Sequence, residues 1–235
     1  MHELDNLIIL FLYTMKKMEA MMRYMKTIFR NYIRENKWIV LFMSILFLTG
    51  IVFGAIIVNS MSFVQKEDVF FHLQQYFTLV KENKEIDHWE LFRRSYFFHV
   101  KYLFILFILG MTIIGLPIIW VLLFMKGLIV GFSVGFIVHQ LGWKGLGLAT
   151  LSVAPQNMIT VPTYILASTV SVHFAIILWK KLWGKNNKVS PIQLVRMYAT
   201  VFLFFFILAF ISSGVETFIS NQLFQYFLKI FMTIL

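Results

Sequence analysis

The amino-acid sequence predicts an all-α protein: a polytopic helical bundle in a membrane, with about five spans and one broken or re-entrant helix. Hydrophobic residues make up 60% of the 235 residues and charged residues only 14%, whereas ordinary soluble domains carry about 25% charged residues. Several stretches have no charge over the roughly 20 residues that a helix needs to cross a bilayer. Lysine and arginine flank these stretches, in agreement with the positive-inside rule.

Five apolar segments predict the spans, and the first of them opens on a tryptophan of the kind found at membrane interfaces. The third segment is short for a crossing, and the fourth is too long for one straight crossing. In chain order the segments are residues 38–58, 103–125, 127–141, 145–179 and 197–215.

The distribution of basic residues predicts the orientation of the chain. Seven basic residues lie in an N-terminal segment, 1–37, and five lie in the loop 180–196, which has no acidic residue. The connector 59–99 balances five basic residues with six acidic ones. We therefore expect the N-terminal segment and the loop 180–196 in the cytoplasm, and the connector and the C-terminus outside. Residues 38–235 form a single membrane domain in this interpretation.

Composition also excludes several classes. Cysteine is absent, which excludes disulfides and thiolate metal sites, and the sequence predicts neither a metal nor a cofactor. The net charge of +10 would suit nucleic acid, but the basic residues lie beside apolar spans, so membrane lipid is the expected partner. Residues 1–37 show no secretory signal pattern. Several methionines in that segment favour the hypothesis that translation begins near Met21 or Met22.

The connector 59–99 is predicted to form two amphipathic outer helices, separated by the polar stretch KENKEID. Apolar residues recur along it with helical spacing. One interpretation is that these helices lie on lipid headgroups or cover the bundle. The alternative is a docking surface for an extracytoplasmic partner, since clustered aromatic side chains commonly anchor interfaces. The candidate anchors are Phe70, Leu73, Phe77, Trp89 and Phe92.

Glycines at four-residue spacing predict close helix packing. Gly127, Gly131 and Gly135 fall on one face of a helix, and Gly50 and Gly54 repeat the spacing in the first span. Small residues at this spacing let two helix backbones touch inside lipid. Packing within one bundle is the favoured interpretation, and a homo-oligomer interface is the alternative.

The same stretch contains GFSVG, which matches the G-x-S-x-G nucleophile pattern around Ser133. That pattern works only as a strained strand-to-helix elbow with an acid and a histidine nearby. Here it lies in a continuous apolar run, and His139, six residues on, faces away around a helix. We therefore predict no catalytic residue.

The stretch SVAPQNMITVP interrupts the longest charge-free run. Pro155 and Pro162 each remove a helical hydrogen bond, while Gln156 and Asn157 supply donors and acceptors for the freed backbone groups. The pattern predicts two helical pieces joined by an unwound elbow. The elbow is either structural or, as in transporters, a solute site. The ionisable residues noted near the interiors of the spans are His173 and Glu216.

Two of these motifs together resemble the stage II sporulation protein M family. KGLIVGFSVGFIVHQLGWKGLGLA, followed by APQNMITVP, is similar to the glycine-rich span and proline-bounded elbow of that family. The likeness covers the chain from about Arg23 onward. In the wider family the first proline is often followed by His, and a Glu often precedes the second proline. Gln156 and Thr160 stand at those places here, a departure that favours a scaffold over an enzyme.

The resemblance implies a role in endospore formation, in the mother-cell membrane at the septum during engulfment. It implies that two extracytoplasmic peptidoglycan hydrolases, a lytic transglycosylase and an amidase-endopeptidase, are the partners that the protein holds in place. The alternative is a permease-like membrane component that moves a small solute through a cavity at the broken helix. A third interpretation, an intramembrane hydrolase, depends on Ser133 alone.

Overall fold

A computed structural model of the chain describes residues 30–81, 88–183 and 190–220, and these ranges are helical apart from short turns. The chain divides into two compact units, residues 1–41 and 42–235. The helices are α1 (Lys37–Ser60), α2 (Phe63–Lys81), α3 (His88–Gly110), α4 (Gly115–Trp183) and α5 (Pro191–Val215), followed by a π-helical turn (Glu216–Ser220).

In the first unit, residues 30–35 are helical and Asn36 forms a turn. The side-chain amide of Asn36 donates to the Tyr32 carbonyl at 3.1 Å. Asparagine competes with the backbone for hydrogen bonds in this way, which favours it at helix boundaries.

Four helical segments of the described residues are long and apolar enough to cross a membrane: Lys37–Ser60, Gly115–Gln140, Val153–Lys181 and Ile192–Phe218. The second and third lie within α4 and are called α4a and α4b below. The all-α membrane bundle that the sequence predicts is therefore confirmed.

The boundary predicted between the second and third spans is wrong. A turn at residues 111–114 separates α3 from α4, so Lys126 lies near the middle of α4a instead of at a span end. The turn consists of apolar residues and Thr112, whose hydroxyl donates to the Leu109 carbonyl at 3.0 Å. Because the turn carries no charge, the charge pattern did not reveal it.

The predicted elbow at Pro155 and Pro162 is also wrong, because the backbone is helical through both prolines. Side-chain hydrogen bonds to carbonyls four residues earlier accompany the prolines: Asn157 donates to Val153 at 2.8 Å and Thr163 donates to Ile159 at 2.7 Å. These acceptors are not the carbonyls that lose an N–H donor to the prolines, which belong to residues 151 and 158, yet the helix continues through both prolines.

The break in α4 lies instead at Gly142, with φ 58° and ψ −137°. A residue with a Cβ rarely adopts this backbone conformation, whereas glycine adopts it readily. Gly142 thus separates α4a from the helical residues that lead into α4b, thirteen positions before the first of the two prolines.

The two glycine rows pack against each other. A Cβ built on Gly54 would lie 2.2 Å from the Leu128 carbonyl oxygen, and one on Gly131 would lie 2.1 Å from the Ile51 carbonyl oxygen. Gly50 and Gly127 meet in the same way, while Gly135 packs less tightly, with Ala55 Cα at 3.2 Å. The backbones of α1 and α4a are therefore in contact, and the two helices run in the same direction.

The core that holds the functional site lies between α3, α4b and α5. Tyr198 of α5 stacks on Phe174 of α4b at 4.0 Å and on Phe107 of α3 at 4.9 Å between ring centroids. Its hydroxyl donates to the Phe107 carbonyl at 3.1 Å. A Cβ on Gly110 would lie 2.2 Å from that hydroxyl oxygen. The small residue at this place lets Tyr198 fill the centre of the three-helix core.

The connector contains one separate helix, α2. The second predicted outer helix is the first part of α3, which continues without interruption from His88 to Gly110. Its aromatic stripe has a structural reason: it packs against α5, with the ring of Tyr96 edge-on to Phe210 at 5.6 Å.

The prediction that Phe92 is a docking anchor is wrong. Phe92 is only 8% exposed, and its ring packs edge-on against that of Phe210 with 5.0 Å between the centroids. Trp89 is 70% exposed and stacks on Phe92 at 5.7 Å. Phe70 is half-buried. The side chains of the other two candidate anchors, Leu73 and Phe77, lie outside the described residues.

Candidate functional site

Five ionisable or hydroxyl side chains meet inside the bundle, and we call them the polar cluster: Ser95, His99, Lys126, Tyr164 and Glu216. Ser95 and His99 are four residues apart on α3, so they lie on one helix face. α4a contributes Lys126, α4b contributes Tyr164, and the π-helical turn after α5 contributes Glu216. Four separate segments therefore build the cluster.

His99 is the centre of the cluster and is only 8% exposed. Its Nε2 lies 3.2 Å from Glu216 Oε2, and its Nδ1 lies 2.5 Å from the Tyr164 hydroxyl. Because a carboxylate can only accept, Nε2 carries a proton. In the neutral imidazole Nδ1 then accepts from the Tyr164 hydroxyl. The result is a hydrogen-bonded chain from tyrosine through histidine to glutamate.

Glu216 receives a second hydrogen bond. The Ser95 hydroxyl donates to Oε2 at 2.5 Å, so the same carboxylate oxygen accepts from both residues of the α3 face. Glu216 is also the first residue of the π-helical turn, and π-helical turns are frequent at functional sites. Hydrogen bonds to its charged form are what a carboxylate needs inside a bundle.

Lys126 lies among aromatic rings. Its Nζ is 4.1 Å from the ring centroid of Phe98, 4.7 Å from that of Tyr102 and 5.0 Å from that of Tyr164. Distances below about 6 Å are those of cation–π attraction. Among the described residues, no carboxylate oxygen lies within 4.0 Å of its Nζ. Glu216 lines the same cavity as Lys126 but forms no direct ion pair with it.

A further pair of hydroxyls ties α4b to α5 beside the cluster. Thr160 Oγ1 lies 2.5 Å from Ser212 Oγ and donates to the Gln156 carbonyl at 2.9 Å. The single Thr160 proton is thus used within α4b, and Ser212 is the donor in the pair. Thr160 is the position at which the resemblance leads one to expect an acid, and here it cross-links two helices.

A cavity of about 430 Å³ lies next to the cluster. Besides all five cluster residues, its polar lining comprises Arg94, Ser133, Gln156, Asn157 and Thr160. Of the four residues predicted for the elbow, Gln156 and Asn157 line this cavity and the two prolines do not. The Ser133 hydroxyl donates to the Ile129 carbonyl at 2.9 Å, within its own helix.

Sequence reasoning noted Glu216 but missed the other four members of the cluster. The signal for Lys126 was its position inside a long apolar run, which had been divided at the lysine. Intramembrane ionisable residues usually face the bundle interior and mark functional sites, so an undivided run from residue 115 would have exposed it. The spacing of Ser95 and His99 on α3 was a weaker signal.

The arrangement suits two kinds of chemistry. The hydrogen bonds from Tyr164 through His99 to Glu216 form a continuous path along which a proton can move. The cavity can also hold a polar ligand. Within residues 30–81, 88–183 and 190–220, no three His, Cys, Asp or Glu side chains group closely enough to hold a metal ion.

The fold and the cluster define a class: a multi-pass helical membrane protein with an ionisable cluster inside its bundle. The family model of stage II sporulation protein M matches residues 17–221, and the chain belongs to that family. The resemblance predicted from the glycine-rich span and the proline-bounded stretch is thereby confirmed. Comparison with curated proteins and with solved structures gave no match.

Proposed function

We propose that this protein is a non-enzymatic membrane scaffold that recruits and localises peptidoglycan-degrading enzymes at the sporulation septum during engulfment of the forespore. Family membership supports a sporulation-related membrane protein. The partners in this proposal are those that the resemblance implies, a lytic transglycosylase and an amidase-endopeptidase outside the membrane.

The observation that carries the proposal is the exposed apolar surface of the connector. Phe63 is 75% exposed, Trp89 is 70% exposed, and Val64 and Phe71 are also exposed. These residues follow the first candidate span in the chain, which ends at Ser60. Exposed aromatic residues beyond the span are suited to anchor a partner.

The proposed orientation has the N-terminus in the cytoplasm and the connector outside. Contacts support a common end for the connector and the C-terminal end of α5. Lys66 Nζ of the connector lies 3.0 Å from His139 Nε2 near the end of α4a, and Ser95 near the start of α3 reaches Glu216 after α5. Basic residues, among them Lys181, lie at the opposite helix ends, which the positive-inside rule assigns to the cytoplasm.

Because the chain contains no cysteine, single cysteines can test this orientation without background labelling. Ser62→Cys in the connector and Gln193→Cys at the start of α5 both replace exposed residues. We expect an impermeant thiol reagent to label residue 62 in intact cells and residue 193 only after permeabilisation. Labelling of both from the same side would refute the proposed orientation.

Recruitment is tested by co-purification from sporulating cells at the time of septum formation, with mass spectrometry of the captured proteins. We expect Phe63→Asp and Trp89→Asp to reduce the recovery of both hydrolases. Ile192→Asp is the matched control, since Ile192 is 71% exposed and lies at the opposite end of the bundle. Equal recovery with all three variants, at equal protein levels, would refute recruitment through the connector.

The second candidate function is a permease-like component that moves a small solute, and the cavity beside the polar cluster favours it. Transporter sites lie at mid-depth between helices and use ionisable side chains. The test compares Gln156→Cys with Thr169→Cys on the same helix. Gln156 lines the cavity, whereas Thr169 is fully buried, with 0% of its surface exposed. Reagent access to residue 156 alone supports a water-filled path, and protection of both positions refutes it.

A further inference from the structure

We propose that the cavity beside the polar cluster is a binding site for a phosphate-class oxyanion, with Lys126 as its principal ligand. The proposal goes beyond scaffolding. It requires neither that hydrolases bind the connector nor that the ligand crosses the membrane. Four features of the cavity carry it: the donors of Lys126, the engagement of Glu216, the amides of α4b and the apolar part of the lining.

Aromatic rings stabilise the charge of Lys126, but its ammonium group has no hydrogen-bond acceptor among the described residues. Its three N–H donors face the aromatic rings of Phe98, Tyr102 and Tyr164, and in the described part of the chain no oxygen or nitrogen accepts a hydrogen bond from its Nζ. Rings attract the charge but do not replace the acceptors that an ammonium has in water. An oxyanion in the cavity would supply those acceptors and an opposite charge together.

Glu216 does not serve as the hydrogen-bond acceptor of Lys126. Its Oε2 accepts from Ser95 at 2.5 Å and from His99 at 3.2 Å, which hold the carboxylate against α3. The carboxylate and Lys126 thus border the same cavity without forming an ion pair.

Two amide residues, Gln156 and Asn157, also line the cavity, and an amide side chain has N–H groups that can donate to an anion. One N–H of Asn157 donates to the Val153 carbonyl at 2.8 Å. Arg94 is a second cation of the lining, paired at 3.1 Å with Glu90 on the outer surface. Because Arg94 is already paired with Glu90, the remaining lining charges are those of Lys126 and Glu216, and the preference for an anion depends on the N–H donors of Lys126.

The size and the apolar lining of the cavity suit an oxyanion that carries an attached group, as a phosphoester does. The cavity of about 430 Å³ falls in the range of roughly 300–1,000 Å³ of small-molecule sites, so it has room for a phosphate and the group attached to it. Phe47, Ile129 and Val130 provide apolar contact on the α1 and α4a side. Lysine is a common phosphate ligand because it supplies a compact charge with three donors.

Two arms of one experiment test the proposal and distinguish a lipid headgroup from a soluble phosphate. The full chain is purified and placed in nanodiscs of phosphatidylcholine, with or without an anionic glycerophospholipid. Native mass spectrometry measures lipid that stays bound, and calorimetric titration with inorganic phosphate into the phosphatidylcholine discs measures the soluble ligand. Retention of the anionic lipid alone assigns the site to a headgroup, and phosphate binding assigns it to a soluble ligand. Binding in neither arm overturns the proposal.

The variants locate the binding at Lys126. We expect Lys126→Met to weaken whichever binding is seen by about tenfold or more, the loss typical of one charge-assisted hydrogen bond. Lys126→Arg should retain most of it, and the matched control Lys101→Met, an exposed lysine of α3 outside the cavity, should change it less than about twofold. Equal binding by Lys126→Met and Lys101→Met overturns the proposal.

A further variant keeps the test decisive if Lys126→Met does not fold. Gln156→Glu changes no volume and adds a negative charge to the lining, so it should weaken the same binding; unchanged binding contradicts the proposal. Hydrolase co-purification, measured with the same variants, separates the two ideas. If anion binding is lost while recruitment is intact, only the binding-site proposal is affected. If recruitment fails while anion binding is intact, only the scaffold proposal is affected.

Discussion

The glycine contact between α1 and α4a offers a prediction whose magnitude follows from the structure. In Gly131→Ala the new Cβ would lie 2.1 Å from the Ile51 carbonyl oxygen and 2.6 Å from Ile51 Cα. Ordinary contact begins near 3.4 Å, so the two backbones must separate by roughly 1 Å or more along this contact. Both nearest atoms belong to the backbone, so no side-chain rotation relieves the clash.

Gly214→Ala is the matched control, because a Cβ at Gly214 meets nothing within 4 Å. Both substitutions gain about 1 kcal/mol of helix propensity, so their difference isolates the steric cost. Overpacking of this kind typically costs about 1–3 kcal/mol. We therefore expect Gly131→Ala to be about 1–3 kcal/mol less stable than Gly214→Ala, with Gly135→Ala, nearest contact 3.2 Å, between the two.

The assay is reversible unfolding in mixed micelles, followed by helix content, with all three variants in the same detergent. The order of stability is the critical result, since it depends on the contact distances alone. If Gly131→Ala were as stable as Gly214→Ala, the two helices would not be in backbone contact, and the packing described for α1 would be refuted.

Three further predictions concern single positions. Tyr198→Phe removes the hydroxyl that donates to the Phe107 carbonyl at 3.1 Å, and it should lower the free energy of unfolding by about 1–2 kcal/mol. The control is Tyr96→Phe, at a tyrosine half-buried against α5, which should change that free energy little. Gly142→Ala places a Cβ at φ 58° and should cost about 1–3 kcal/mol, seen as a lower unfolding midpoint that Gly214→Ala does not show. Ser190→Ala removes the N-cap of α5 and should cost about 1 kcal/mol, with faster amide exchange limited to the first turn of α5; uniform exchange changes would contradict the capping role.

The membrane class was predictable because it depends on local properties of the sequence. A charge-free run of about 20 residues has few alternatives to a spanning helix. The first span, predicted at residues 38–58, corresponds to Lys37–Ser60, and the last, predicted at residues 197–215, lies within Ile192–Phe218. The glycine rows could be predicted for the same reason. Four-residue spacing places the glycines on one face of a helix, whichever helix packs against that face.

Charge and proline misled where tertiary structure overrides them. The sequence predicts a span end at Lys126 because lysines usually lie at span ends. In the structure its aromatic surroundings stabilise it at mid-helix. Pro155 and Pro162 predict a break, yet the helix continues through both. The break lies at Gly142, whose single-residue signal is hard to separate from the other glycines of this region.

The polar cluster could not be predicted from sequence, because its members are far apart in the chain. His99 lies 65 positions from Tyr164 and 117 from Glu216. No local spacing joins these three residues. Only the antiparallel packing of α3 against α5, together with the parallel packing of α3 and α4b, brings the three side chains together.

The energetics of the cluster give a reason to expect that it has a function. A lysine at the centre of a span costs about 2.5–3.5 kcal/mol to insert, and cation–π attraction of about 0.5–2 kcal/mol at Lys126 offsets part of that cost. Packing alone would be served as well or better by an apolar side chain of similar size. The bundle places a lysine, a histidine and a glutamate around one cavity. It thereby accepts a cost in stability for groups that can bind or transfer charge. For this reason the ligand experiment on Lys126 has priority over further packing variants.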